Sequence, residues 1–219
     1  CIIIGPKYLQ EYTTGKAKLV DNIIIATTIN KEDDEIVHWC ELNNIDYFRG
    51  SENNIYERIV KTHEQYNTDI IVELTADCPL LDPVLIDDAI QFFLDNDYEY
   101  ISNCLEITYP LGMAVEVFSF DALQSIGKDR ELTYEDREHV SPYFFTSGKY
   151  KIFNLKATSK NYFPELSVTL DTIEDFEIIQ KIHAKFNNNN FTLEDIISIV
   201  NQNSSWMNIN KNIHRKGLS

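Results

Sequence analysis

The run DIIVELTADCPLLDP, Asp69–Pro83, decides the fold class. An Ile/Val-rich stretch without alternation, as in a strand covered on both faces, leads into Thr75-Ala76-Asp77-Cys78 and then into Asp82-Pro83, a cap followed by a first-turn proline. Strand, acidic turn and helix start thus follow one another, and the pattern recurs on either side. Strands are predicted at Cys1–Ile4, Asn22–Thr27, Asp46–Phe48, Asp69–Leu74, Tyr98–Ser102, Ala114–Phe118, Tyr150–Leu155 and Ser167–Leu170. Helices are predicted near Lys7–Lys18, Lys31–Asn43, Ile55–Tyr66, Pro83–Asp95, Thr133–Phe145, Thr172–Phe186 and Thr192–Val200. Asn30 is a candidate cap for the helix opened by Lys31-Glu32-Asp33-Asp34, whose acids suit the positive end of a helix dipole. Strand–helix alternation of this kind is that of an α/β domain with a mainly parallel sheet. One domain over residues 1–200 is expected, with an insertion at 103–165 that departs from the alternation, and a tail at 201–219 in which Trp206 could dock.

The chain has 219 residues, with 19 Lys+Arg against 35 Asp+Glu and a formal net charge of −16. So acidic a protein repels a phosphate backbone, which argues against nucleic acid as a partner, and against an anionic membrane. A small phosphorylated ligand stays open, because a metal ion or a local Arg can hold it. The cysteines Cys1, Cys40, Cys78 and Cys104 are far apart without metal-ligand spacing, which fits free thiols in a reducing compartment. No apolar run is long enough to span a membrane, and a cytoplasmic protein is expected.

In open parallel α/β sheets ligands bind at the carboxyl ends of the strands. The residues there are Thr27 and Thr28, then Arg49-Gly50-Ser51, then Thr75 and Asp77, and finally Asp171. Two acids, short hydroxyls and an Arg on one rim could form a Mg²⁺–phosphate site, since Mg²⁺ takes one or two carboxylates and completes its shell with water and phosphate. Other roles stay open from spacing alone. Asp77 could form an Asx turn or a cap, Asp171 could cap the helix that follows it, and Arg49 could pair with Glu52 or Glu57.

Four segments carry a resemblance: Val20–Thr28 (VDNIIIATT) running on through Asp34, Phe48–Arg58 (FRGSENNIYER), Thr75–Pro83 (TADCPLLDP) and Thr169–Phe176 (TLDTIEDF). In order and spacing they resemble the cytidylyltransferase family that includes the spore-coat polysaccharide cytidylyltransferases and, more distantly, the CMP-KDO and CMP-sialic acid synthetases. Tyr109–Phe118 (YPLGMAVEVF) and Arg137–Tyr143 (REHVSPY) look like the spore-coat branch. The resemblance implies a three-layer nucleotide-binding sandwich of the nucleotide-diphospho-sugar transferase type with an inserted β-rich arm. It implies transfer of CMP from CTP to a sugar or sugar-acid hydroxyl with release of pyrophosphate, in surface polysaccharide biosynthesis. Carried over residue by residue, it makes Asp77 and Asp171 the Mg²⁺ carboxylates. It gives Ala26, Thr27, Thr28, Arg49, Gly50, Ser51 and Thr75 nucleotide contacts, and sets Tyr109, Gly112, Glu116, Arg137 and His139 at the acceptor. A homodimer is implied too. The family's basic loop, Q-A-R-x-x-S-x-R-x-P-x-K after the first strand, has no counterpart between Ile4 and Lys7; it is expected to belong to the protein but to be missing from this stretch. A non-catalytic nucleotide-binding or scaffold protein of the same fold, and a nucleotidyltransferase using another base, are the alternatives.

Overall fold

The computed structural model describes residues 2–3, 16–129, 131–186 and 191–215. Its strands are β1 (Ile2–Ile3), β2 (Ile24–Thr28), β3 (Asp46–Gly50), β4 (Ile70–Leu74), β5 (Tyr100–Ser102), β6 (Glu116–Ser119) and β7 (Ile152–Asn154). Its helices are α1 (Asp34–Asn43), α2 (Ile55–Tyr66), α3 (Pro83–Asp95), α4 (Phe120–Asp129), α5 (Tyr134–Glu138), α6 (Pro142–Thr146), α7 (Ile173–His183) and α8 (Leu193–Gln202). The strands form one sheet in the order β3-β2-β1-β4-β6-β5-β7. Pairing is parallel except at β6, which runs antiparallel to both β4 and β5. The predicted mainly parallel α/β sheet is therefore present; the order steps outward from β1 through β2 to β3 on one side, while on the other β6 is inserted between β4 and β5. The expected strand end at Ile4 and the helix from Lys7 lie outside the described residues, apart from the stretch beginning at Lys16.

Alternation along β4 sorts the core into two faces. Val72 and Leu74 join Ile101, Val115 and Val117 beneath α3, α7 and α8, where Ile86, Ala89, Ile178, Ile182, Ile196 and Val200 are fully or almost fully buried. Ile71, one residue out of phase, joins Ala26, Tyr100 and Phe118 on the opposite face against α2, α4 and α6. There Tyr100 stacks on Phe144 with ring centroids 4.9 Å apart. At the edge, Ile25, Cys40 and Ile45 bury the inner side of α1. Three layers result.

Several expectations are corrected. Ser167–Leu170 is not a strand; only Ser167 bridges to Leu111, flanked by Leu111 N–H to Leu166 O (3.0 Å) and Val168 N–H to Leu111 O (2.8 Å). The helix expected over Thr133–Phe145 is two short ones, because Pro142 has no N–H to give and its ring would meet the carbonyl of Glu138. The segment 103–165 is no β-rich arm. It holds α4, α5 and α6, and its strands β6 and β7 belong to the common sheet, where β6 finds partners on both edges. Helix α4 went unforeseen, although Leu123 and Ile126 sit at helical spacing and are buried. Trp206 docks as expected, packing on the larger core.

Candidate active site

The parallel register brings the carboxyl ends of β2, β3 and β4 to one rim. Thr27 lies opposite Arg49 and Thr28 opposite Gly50, while Leu74 closes β4 beside Ile3. Because β6 is antiparallel, its first residue, Glu116, reaches the same rim opposite Glu73.

Asp77 follows β4 in a turn closed by Cys78 N–H to Thr75 O (3.3 Å). No backbone N–H donates to its carboxylate among the described residues, so the cap reading does not hold; Asp82 caps α3 instead, accepting from Val84 N (2.9 Å). Asp77 accepts from Thr169 Oγ1 at Oδ2 (2.9 Å), and its carbonyl accepts from Leu170 N (2.8 Å). The segment carrying Asp171 is thereby fastened to the turn carrying Asp77. Asp171 is not a cap either. Thr172 caps α7 in a reciprocal box with Asp175, leaving the Asp171 side chain half exposed and paired through Oδ2 with Arg215 (2.7 Å).

Asp77, bonded to the Thr169 hydroxyl, and Asp171, on the segment fastened to its turn, offer only oxygen donors. That set suits a hard ion such as Mg²⁺, which needs only one or two carboxylates. Among the described residues no group of three or more His, Cys, Asp or Glu side chains could hold a metal, so a cation here would draw its remaining ligands from water and phosphate. Cys78, beside Asp77, has its thiol pushed up to about 12 by burial and then by the Asp77 carboxylate, which keeps it a neutral thiol.

The nucleotide-side residues are organised around an acid that the sequence did not single out. Asp33 Oδ2 accepts from Thr27 Oγ1 (2.7 Å), Thr28 N (2.9 Å) and Thr28 Oγ1 (2.5 Å). The Thr28 and Thr27 hydroxyls hold its carboxyl below the usual range. These hydroxyl protons therefore serve Asp33 and are not offered to a ligand. Ala26 is buried with its methyl in the core, so only its backbone could touch a nucleotide. Arg49 pairs with neither Glu52 nor Glu57. Its Nε reaches Thr28 O (2.8 Å), Nη2 reaches Asn30 O (2.7 Å), and Nη1 pairs with Asp34 (2.7 Å), tying β2 to β3. Asn30 does not cap; its amide donates to Glu52 (2.8 Å). Ser51 Oγ accepts from Asn54 N (3.1 Å), and Ser51 O accepts from Arg58 Nη1 (2.7 Å). Arg58 is only 7% exposed, and its stem explains Gly50, where a Cβ would stand 2.7 Å from Arg58 Cγ. Thr75 is exposed, with Oγ1 3.4 Å from Cys78 Sγ.

On the expected acceptor side, Tyr109 and Gly112 line a cavity of about 90 Å³ together with Cys104, Ile107 and Met113. Gly112 is needed for its backbone: φ is +95°, and a Cβ would lie 2.6 Å from Thr169 N. Glu116 accepts from the Tyr100 hydroxyl (2.8 Å). Burial, joined by the facing Glu116, pushes the carboxyl of Glu73 up to about 8; Glu116 is raised too, chiefly by burial. Arg137 and His139 are exposed, at the end of α5 and just beyond it, and among the described residues neither is hydrogen-bonded or ion-paired to Asp77 or Asp171. Sequence reasoning missed Asp33, Arg58, Asp175 and Arg215. Only Asp175 carried a local signal, the Thr172-x-x-Asp175 spacing of a capping box.

A family model described as cytidylyltransferase matches residues 7–213. The chain is 36% identical over 202 residues to an uncharacterized protein of Methanocaldococcus jannaschii, covering 92% of this chain and 82% of that one. It is 33% identical over 187 residues to the spore coat polysaccharide biosynthesis protein SpsF of Bacillus subtilis, covering 84% and 76%. The structure superposes on a cytidylyltransferase from Leptospira borgpetersenii with a TM-score of 0.87 at 30% identity, over 95% of this chain and 87% of the other. A CMP:2-keto-3-deoxy-manno-octonic acid synthetase complexed with CTP shares the fold alone, at TM-score 0.57 and 14% identity over 84% and 90% of the two chains. With motifs in family order and a model match across nearly its whole length, the chain belongs to the cytidylyltransferase family.

Proposed function

We propose that the protein is a Mg²⁺-dependent cytidylyltransferase that moves CMP from CTP to the hydroxyl of a sugar or sugar acid, in surface polysaccharide biosynthesis. One observation carries this: the Leu170 N–H to Asp77 O bond and the Thr169–Asp77 bond fasten the two acidic segments together on the rim where the sheet's parallel strands end. In the reaction the acceptor oxygen bonds to the α-phosphorus of CTP as the bridging oxygen to the β-phosphorus leaves with pyrophosphate, and the hydroxyl proton passes to solvent. Because this is displacement at phosphorus, the protein's work is positioning and charge neutralisation. Mg²⁺, when bound, supplies Lewis-acid stabilisation of phosphate oxygens. Asp77 and Asp171 would hold it. Arg49 and Arg58 fix the Thr28 and Ser51 loops that border the nucleotide, and Asp33 holds Thr27 and Thr28 in place. Tyr109, Glu116, Arg137 and His139 are proposed on the acceptor side, and the working form is proposed to be a cytoplasmic homodimer, which sedimentation would test.

Calorimetric titration tests the reading. CTP should bind saturably with Mg²⁺, lose affinity in EDTA, and be preferred over UTP and ATP; equal binding of CTP and ATP would remove the cytidylyl assignment. A non-catalytic nucleotide-binding protein, the reading that would apply were the family's basic loop absent from the full protein, would bind CTP yet release no pyrophosphate with any sugar acid.

A further inference from the structure

The C-terminal segment returns to the proposed metal rim. Asn210, 7% exposed, donates its amide to Asp175 Oδ1 (2.7 Å) and to Ser167 O (3.1 Å). Arg215, whose side chain is 9% exposed, forks over two acids: Nη2 to Asp175 Oδ1 (2.5 Å), and Nη1 to Asp171 Oδ2 (2.7 Å) and Asp175 Oδ2 (3.2 Å). Asp175 is fully buried and also accepts from the backbone N–H groups of Asp171 and Thr172.

Neutralising Asp175 explains half of this fork. The other half takes Asp171, a side chain with no capping duty and half its surface in water. With Asp171 half in water, that arm of the fork is better screened than the buried arm to Asp175 and adds less stability. Its consequence is geometric: a rigid planar guanidinium anchored on a buried carboxylate fixes Asp171 through one oxygen. Asp171 Oδ1 accepts no hydrogen bond among the described residues.

We propose that Asn210–Arg215 is a strap that completes the active site, with Arg215 a positioning residue that orders Asp171 for the divalent cation. This rests on the reading of Asp171 as a metal carboxylate. Partners that orient a metal ligand typically change metal affinity about 10–100-fold. The test is CTP affinity by calorimetry on the full chain, in Mg²⁺ and in EDTA, for Arg215→Lys and Arg215→Gln. Lys keeps the charge and loses the fork. Both variants should weaken binding in Mg²⁺ by about tenfold or more and leave binding in EDTA unchanged. If Arg215→Gln fails to fold because Asp175 is left unpaired, Asp175→Asn/Arg215→Gln removes that buried charge, and the double variant should show the same Mg²⁺-specific loss. Parental affinity in Mg²⁺ for the folded variants, whatever their melting temperatures, would overturn the strap as a positioning device. So would tighter binding by Arg215→Gln, which would make the guanidinium a competitor of the cation. Asp171→Asn separates the two layers: if it loses the Mg²⁺ dependence and the Arg215 variants do not, only the strap fails. If it keeps the dependence, Asp171 itself was wrongly read.

Discussion

Gly112→Ala should damage both stability and the site, through a route visible in the backbone. At φ +95° an L side chain is strained by roughly 1–2 kcal/mol. The new Cβ would stand 2.6 Å from Thr169 N, 2.7 Å from Val168 C and 2.8 Å from Val168 O, all backbone, so no side-chain rotation relieves it. Forcing two backbone segments apart in a packed interior adds about 1–3 kcal/mol, for a total loss of ~2–5 kcal/mol. The segment displaced is the one whose Thr169 hydroxyl holds Asp77 Oδ2, so Asp77 should move with it. Urea denaturation gives the stability change from the midpoint at constant slope, and CTP titration in Mg²⁺ gives the effect on the site. Gly148→Ala is the control: φ is +68° but nothing lies within 4 Å, so only the conformational part, roughly 1 kcal/mol, should be lost. A Gly112→Ala protein within about 0.5 kcal/mol of the parent, inside ordinary surface variation, would refute the close approach.

Glu73, raised to about 8 when folded, binds its proton more tightly in the native than in the unfolded chain. Its contribution to stability is therefore fully present below its ordinary pKa and lost as pH rises towards about 8. Parent stability relative to Glu73→Gln should fall between pH 5 and 8 by up to about 1.4 kcal/mol per pH unit; melting curves for both proteins at several pH values check it, and a pH-independent difference would contradict it. Removing the donors around Asp33 in Thr27→Val/Thr28→Val should loosen the loop and weaken CTP binding by about tenfold, each lost charge-assisted bond being worth roughly 1.5–3 kcal/mol. Unchanged affinity by calorimetry would make that triad irrelevant to the nucleotide. Phe144→Ala, which empties the stack on Tyr100 and Phe118, should cost about 3–5 kcal/mol in urea melts.

The fold was legible where local signals were strong. Asp69–Leu74 reads as a doubly covered strand, and Asp82-Pro83 opens α3 as its spacing says. Legibility failed where distant partners decide the structure. Ser167–Leu170 has strand composition, yet Gly112, at positive φ, leaves strand geometry and the pairing ends at a single bridge between Leu111 and Ser167. The sequence offers Asp77 and Asp171 as a candidate pair, but what brings their segments together is Thr169 and Leu170, whose bonds to Asp77 span more than ninety positions of chain. The partner of Asp171, Arg215, lies 44 residues away in a tail without periodicity, so only tertiary structure could disclose it. Thr27 and Thr28 looked like ligand-reading hydroxyls because the run of acids at Glu32-Asp33-Asp34 was read as a helix-dipole feature. The chain instead folds Asp33 back onto them.

We propose that Asp77 and Asp171 serve one cation during transfer. It is tested most directly by pyrophosphate release from CTP across a Mg²⁺ titration in Asp77→Asn, Asp171→Asn and the double variant, with melting temperature as control. Neither carboxylate is a helix cap, so both single variants should stay folded. Turnover should fall by about 10²–10³ in each, with a higher Mg²⁺ requirement. The double variant should fall by much less than the product of the two, since both groups serve one ion. Asp171→Asn turning over at close to the parental rate, with an unchanged Mg²⁺ midpoint, would contradict the account.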